Sequence, residues 1–262
     1  MPSDKDKYSR LEYRRLIAWP SRIEREADLL ESILSSGPSN RVLDLGCGTG
    51  EHARFLAEQG YRVVGVDSSE SQIATAREAQ AAVGVEFLHA DLCELKGLLA
   101  GSFGAAICLG NTLPHLLTQE SLGQFLAGLS DHLAEGAPLL LQLLNYEKIF
   151  RRQERYLPVS LRPDEAGDIV FLRLMNLHPD GNVTFFPSTL RLRPGHEPPL
   201  EIKASKQVRL RGWRLEELEG PMEAAGFRLS ECFGAFDGSA FNGDDSMDLI
   251  MVARRIGRHP TP

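Results

Sequence analysis

The stretch VLDLGCGTGEH, residues 42–52, sets Gly46, Gly48 and Gly50 between an apolar run and a helical one. Glycine permits a tight turn and a close approach of ligand to backbone, and the start of the following helix exposes unpaired N–H groups. Such a loop suits a polar ligand, but Glu51 stands where the dinucleotide fingerprint G-x-G-x-x-G requires Gly or Ala, and a carboxylate there disfavours pyrophosphate. Asp67 closes the next apolar run, seventeen residues past Gly50. At the carboxyl end of a strand in an open α/β sheet, an acid can accept hydrogen bonds from both hydroxyls of a ribose. The alternative is a cap for the helix that follows, a role Ser68 or Ser69 can also fill. Asp91 stands in the same way after VEFLHAD, where it can accept from an adenine amino group.

These residues need a scaffold of alternating strands and helices. RVLDLG, YRVVGVD, VEFLHAD and GAAICLG read as strands, separated by EHARFLAEQG, SESQIATAREAQAAVG and a shorter helical CELKGLLAG, each ending at or near Gly. A helix, ESLGQFLAGLSDHLAEG, and a fifth strand, APLLLQLLN, follow; the strand is apolar almost throughout, as one buried on both faces should be. This alternation predicts a parallel, doubly wound sheet. The pattern breaks after Phe150. Residues 168–211 hold the strand-like runs DIVFLRLMNLH, NVTFFPSTLRL and EIKASKQVRL, joined by P-D-G-N and R-P-G-H-E-P-P turns, and predict an antiparallel insertion. WRLEELEGPMEAAGF then reads as a helix, and RLSECFG and SMDLIMVARR as two strands. Residues 8–34 read as one or two helices ahead of the sheet, and the tail after Arg258 as frayed.

Composition excludes several classes. With 42% hydrophobic and 25% charged residues in 262, the chain reads as one globular domain with an insertion, not as a disordered or fibrous protein. A formal charge of -7 disfavours nucleic acid as a partner. Cys47, Cys93, Cys108 and Cys232 are scattered without zinc-site spacing, so reduced thiols and no metal are expected. No apolar run is long enough to cross a bilayer and MPSDKDKYSR does not resemble a signal peptide, so a cytoplasmic protein without membrane attachment is expected.

Taken in order, VLDLGCGTG, VVGVDSS, FLHADL and AAICLGNTLPHL resemble the motifs of the class I S-adenosylmethionine-dependent methyltransferases across residues 41–145. The resemblance implies an α/β, Rossmann-like doubly wound sheet of seven strands, here with an antiparallel β insertion and an N-terminal helical cap. It also implies the cofactor S-adenosyl-L-methionine, leaving as S-adenosyl-L-homocysteine, and no metal. Carried over residue by residue, Gly46, Cys47 and Gly48 would face the methionine part, Asp67 the ribose, and Asp91 with Leu92 the adenine, while Leu109 would close over the site and Ser68 is also expected to bind the cofactor. Among these families the chain is similar to small-molecule N-methyltransferases such as glycine N-methyltransferase, in CLGNTLPHL, in NYEKI at residues 145–149, and in Arg22 of WPSRIERE. By resemblance Arg22 would pair with the methionine carboxylate; the alternative is a solvated helix face shared with Arg25 and Glu26. Leu144 stands where the glycine-using enzymes present an Arg, which argues against glycine as acceptor.

The carboxyl ends of the fourth to sixth parallel strands should face the transferred methyl group, and supply Asn111, Thr112, His115, Asn145, Tyr146, Phe236 and Asp237. Asn111, Asn145 and Tyr146 are expected to position the acceptor. His115 is the candidate base, since its ordinary pKa suits proton removal; the alternative is a cap for the next segment. His52, a first-turn histidine, reads equally as a cofactor contact or as surface. FDGSAFNGDDSMD lacks the spacing of a calcium loop and reads as a polar turn, and RRQERY as a solvated helix end.

The expected organisation is one methyltransferase domain: a helical cap at 1–38, a cofactor-binding core at 39–150, an insertion on the acceptor side at 151–212 and the end of the core at 213–256. The expected activity is methyl transfer to nitrogen or oxygen of a small-molecule acceptor. The alternatives are methylation of a macromolecule (tRNA, DNA or protein) and non-catalytic binding of S-adenosylmethionine. The nucleic-acid reading is weakened because Gly110, Asn111, Thr112 and Leu113 replace the Asn/Asp-Pro-Pro-aromatic tetrad of enzymes acting on exocyclic amines.

Overall fold

A computed structural model describes residues 17–79 and 83–257. Residues 8–16 of the expected N-terminal helices and the tail after Arg258 lie outside the described residues. Helix α1 (Trp19–Leu34) precedes β1 (Arg41–Leu45), α2 (Glu51–Glu58), β2 (Arg62–Asp67), α3 (Glu70–Glu78), β3 (Val85–His89), β4 (Ala105–Cys108), α4 (Gln119–His132) and β5 (Pro138–Leu144). After β5 come α5 (Tyr146–Arg152) and the strands β6 (Ser160–Arg162), β7 (Asp168–Leu177), β8 (Asn182–Leu192), β9 (Leu200–Ser205) and β10 (Val208–Arg211). Helix α6 (Leu215–Ala224), β11 (Phe227–Phe233) and β12 (Asp248–Arg255) complete the fold.

Seven strands form the main sheet in the order β11-β12-β5-β4-β1-β2-β3. Strands β1 to β5 pair in parallel, and β12 runs antiparallel to both β5 and β11. Alternation within β1 explains the layers. Val42 packs with Leu30, Ala53, Leu56 and Ile250 on the face covered by α1 and α2, whereas Leu43 and Leu45 pack with Phe125, Leu129 and Met222 on the face covered by α4 and α6. With both faces covered, β4 and β5 have almost no polar residue to spare; Gln142 in β5 is the exception, and it reappears in the site.

Strand order reverses at β1, since β2 and β3 lie on one side of it and β4 and β5 on the other. Ligands of open α/β sheets bind beyond the carboxyl ends at such a point, which is where the glycine loop emerges.

The insertion forms a second, antiparallel sheet in the order β10-β8-β7-β6, with β9 also paired to β8. Val183, Phe185, Val208 and Leu210 belong to the same apolar cluster as Leu141 and Leu143 of β5, so the two sheets share a core. Trp213, buried at the end of the insertion, donates from Nε1 to the Leu116 carbonyl at 2.9 Å and pins the junction.

Three local features differ from the sequence reading. CELKGLLAG forms only a 3-10 turn at Leu92–Glu94, because Gly97 adopts φ +76°, outside the helical region. Helix α5 and strand β6 are additional, each too short to leave a periodic signature. EIKASKQVRL divides into β9 and β10.

Candidate active site

The glycine loop rests on two close approaches. A Cβ on Gly46, at φ +74°, would lie 2.3 Å from Thr112 Cγ2, so only glycine lets β1 turn beneath the segment leaving β4. A Cβ on Gly48 would meet open space, while its N–H donates to Asp67 Oδ2 at 2.9 Å. Asp67 Oδ1 accepts from Ser69 N at 2.8 Å, and Ser69, not Asp67, caps α3 through Gln72 N. Burial raises the Asp67 pKa, and its two backbone hydrogen bonds oppose that rise.

Around the loop lies a cavity of about 510 Å³, lined by Arg22, Gly46, Gly48, Asp67, Ser68, Asp91, Leu92 and Leu109 among others. Cys47 is absent from the lining. It is buried, with its sulfur 2.9 Å from where a Gly65 Cβ would be, and burial pushes its thiol well above the ordinary range. Cys47 therefore packs beneath the loop, a correction to its expected place against the methionine part. Asp91 lines the cavity while its Oδ1 accepts from Cys93 N at 3.0 Å.

Asp44 also lines this cavity and was not anticipated. It is buried within β1, and its Oδ2 has no hydrogen-bond partner among the described residues. Desolvation raises its pKa to about 6, with the His52 interaction opposing and the Asp67 charge adding to the rise. A buried carboxylate oxygen without a donor is costly. It suits an ammonium group, which the methionine part of the expected cofactor carries. The sequence signal was an acid in the otherwise apolar run VLDLG.

Helix α1 contributes more than a solvated face. Glu26 is buried, accepting from Arg22 Nε at 2.7 Å and paired with His52 Nε2 at 2.6 Å. Burial raises the Glu26 pKa, but the His52 hydrogen bond and the Arg22 charge outweigh it and hold the carboxyl below its ordinary value. The Trp19 ring meets the His52 ring edge-on at 5.4 Å and lies under the Arg22 guanidinium at 5.1 Å. Arg22 is thus clamped at the mouth of the cavity, and His52 is a buried partner of that clamp.

A second cavity, of about 1060 Å³, opens between α1, the ends of β4 and β5, and the insertion. Arg22 and Gly110 line both cavities, so the two meet there. Asn111, Phe236 and Asp237 line the second cavity, with Leu157, Phe171 and Phe185 from the insertion side. Asn111 adopts φ +64°, a conformation Asn tolerates better than most residues. Its Oδ1 accepts from Leu144 N at 3.1 Å and its Nδ2 donates to the Tyr146 hydroxyl at 3.0 Å.

Four expected acceptor residues lie elsewhere, and Thr112 is one of them, lining the first cavity with its side chain against Gly46. Tyr146 is buried and lines neither cavity; burial raises its phenol pKa, so it stays neutral and positions Asn111. Asn145 also lines neither cavity: Nδ2 donates to the carbonyls of Asn242, Gly243 and Ser246 at 3.0–3.3 Å, and Oδ1 caps α5 through Lys148 N. His115 lines the first cavity, not the second, because the 3-10 turn Leu113–His115 folds over the glycine loop through Thr112. Thr118 caps α4, so His115 is not that cap. In the acidic turn, Asp244 and Asp245 pair with Arg151 and Arg152.

The methyltransferase domain family matches residues 42–136. A glycine/sarcosine N-methyltransferase of Parasynechococcus marenigrum is 34% identical over 137 residues, 52% of this chain and 49% of the relative. The chain thus spans about half the length of the curated relatives it matches. A methyltransferase from Streptomyces caelestis superposes with a TM-score of 0.76 at 22% identity, covering 97% of this chain and 100% of the other. An S-adenosylmethionine-bound amino pentose methyltransferase from Micromonospora echinaspora gives 0.72 at 23%, covering 94% and 95%. Residues 42–136 match the methyltransferase domain family, and the chain shares the fold of these solved methyltransferases over nearly its whole length.

Proposed function

We propose that the protein is an enzyme of the cytoplasm that transfers a methyl group from S-adenosylmethionine to a nitrogen or oxygen of a small molecule. The observation that carries this reading is the meeting of the two cavities at Arg22 and Gly110. A two-substrate displacement needs donor and acceptor pockets joined at one point, and alignment there is worth roughly 7–11 kcal/mol in favourable cases.

In this reading residues 39–150 hold the cofactor and residues 151–212 roof the acceptor. When bound, the cofactor supplies an electrophilic methyl group on a sulfonium. Asp44 would receive its ammonium, Arg22 its carboxylate, Asp67 its ribose hydroxyls and Asp91 its adenine amino group, with Leu92 and Leu109 against the ring. Asn111, fixed by Tyr146 and the Leu144 N–H, would position the acceptor atom. Nitrogen is favoured by the likeness to a glycine/sarcosine N-methyltransferase and to a sugar N-methyltransferase from Streptoalloteichus, at TM-score 0.70 and 19% identity. No described helix is long and apolar enough to cross a membrane.

The test is to incubate the protein with S-adenosylmethionine and small amines and hydroxylated compounds, and to follow S-adenosylhomocysteine. Acceptor-dependent release is expected, slowed in Asn111→Ala. Full turnover by that variant would contradict the placement of the acceptor.

A further inference from the structure

The acceptor-side cavity is polarised between its floor and its roof. At the floor, Gln142 Oε1 accepts from Gly110 N at 2.7 Å and Gln142 Nε2 donates to Asp248 Oδ1 at 2.8 Å. The Gly110 N–H fixes the amide's orientation, so Gln142 turns its N–H₂ toward Asp248, which must accept there. Asp248 lines the cavity as a half-buried carboxylate at the start of β12, next to the junction at Gly110. Burial raises its pKa, opposed by the Gln142 hydrogen bond and the Arg22 charge.

The roof is one face of β6 and β7. Ser160 lies opposite Phe171 and Arg162 opposite Ile169 in the register, so Ser160, Arg162, Phe171 and Arg173 share that face. Arg173 is engaged: it donates to the Pro158 carbonyl at 2.9 Å and lies over the Phe171 ring at 5.2 Å. Both Arg173 and Arg162 bury an Nε that meets no hydrogen-bond partner among the described residues, but Arg162, which also lines the cavity, makes no other side-chain hydrogen bond there. A guanidinium fork with an unmet donor suits an oxyanion. Glu24, Arg25, Asp28 and Asp237 also line the cavity, but they are exposed, where a charge discriminates little, and Arg22 and Glu26 line it already paired with each other.

We propose that the acceptor is an amino compound with an oxyanionic group, carboxylate or phosphate, set apart from its amine: Asp248 receives the amine and Arg162 the oxyanion. The inference rests on the methyl-transfer reading and narrows its acceptor class. A cavity of about 1060 Å³ exceeds the upper end of ordinary ligand pockets, roughly 300–1,000 Å³, and leaves room for the two groups to be separated.

The test is calorimetry of the full chain, with and without S-adenosylhomocysteine, using ε-aminocaproate, aminohexyl phosphate, hexylamine and hexanoate as probes. One or both of the first two should bind at least about tenfold more tightly than hexylamine or hexanoate, and the better one tells carboxylate from phosphate. Arg162→Gln should remove the advantage over hexylamine, with Arg162→Lys intermediate, and Asp248→Asn the advantage over hexanoate. Hexylamine binding as tightly as the charged pair, no binding of any probe, or an advantage that survives Arg162→Gln would overturn the proposal. Retained S-adenosylhomocysteine affinity in each variant shows an intact fold. Failure of the parent protein to bind S-adenosylhomocysteine would instead contradict the methyl-transfer reading, a result separate from the probe preference.

Discussion

The backbone N–H of Gly48 donates to Asp67 Oδ2 at 2.9 Å, which ties the glycine loop after β1 to the acid that ends β2. Asp67 therefore shapes the cavity as well as facing it. Asp67→Ala should weaken S-adenosylmethionine binding by one to two orders of magnitude, as expected when hydrogen bonds to a charged group, about 1.5–3 kcal/mol, are lost. Unchanged affinity in calorimetry would remove Asp67 from the site.

Asp44 predicts a pH dependence of binding. Its folded-state pKa is raised to about 6, chiefly by burial, so it is protonated below that pH in the ligand-free protein. An ammonium ligand needs the carboxylate. Affinity should be level above pH 6 and fall by up to about tenfold per unit below it, with a proton released on binding. For stability the sign is opposite to that of a salt-bridged acid: ionising the buried group costs the ligand-free fold, an effect absent below pH 3.8 and complete above about 6. Titrations between pH 5 and 8 in buffers of different ionisation heat would read both the affinity and the proton. Asp44→Asn should flatten the profile; a flat profile in the parent protein would refute the assignment.

In the proposed reading Tyr146, whose hydroxyl accepts from Asn111 Nδ2 at 3.0 Å, would act through Asn111 and not on the acceptor. Tyr146→Phe should leave cofactor affinity unchanged and lower kcat about fivefold, the effect of one hydrogen bond near 1 kcal/mol, with little change in KM. The pH profile of kcat should keep its shape, because the phenol is neutral throughout. A lost basic limb would return Tyr146 to proton transfer.

Asn145 holds the loop of residues 242–246 to the start of α5. Asn145→Ala should lower stability by about 1–2 kcal/mol for the lost cap alone, seen as a drop in Tm, while S-adenosylmethionine affinity is retained. Unaltered Tm with abolished turnover would restore a direct role at the acceptor.

Motif order made much of the first cavity's lining legible, because a strand ending in glycine or an acid puts those residues at the carboxyl edge of the sheet whatever the tertiary details. Gly46, Asp67 and Asp91 follow from that rule. Residues whose direction depends on packing did not. His115 turned over the glycine loop because Thr112 sits on Gly46, and Asn145 turned toward a loop about a hundred positions later. Asp44, Glu26 and His52 were hidden for a different reason: each is a polar group buried by partners or by a pocket that local sequence does not display. The polar residue within β5, Gln142, was the visible trace of the second cavity's floor.

The central claim is that the cavity around Gly46, Asp44 and Asp67 holds S-adenosylmethionine. Isothermal titration of the protein with S-adenosylmethionine, S-adenosylhomocysteine and NAD in parallel tests it most directly. The account predicts binding of both adenosyl ligands and none of NAD. No heat with either adenosyl ligand, or equal binding of NAD, would contradict it.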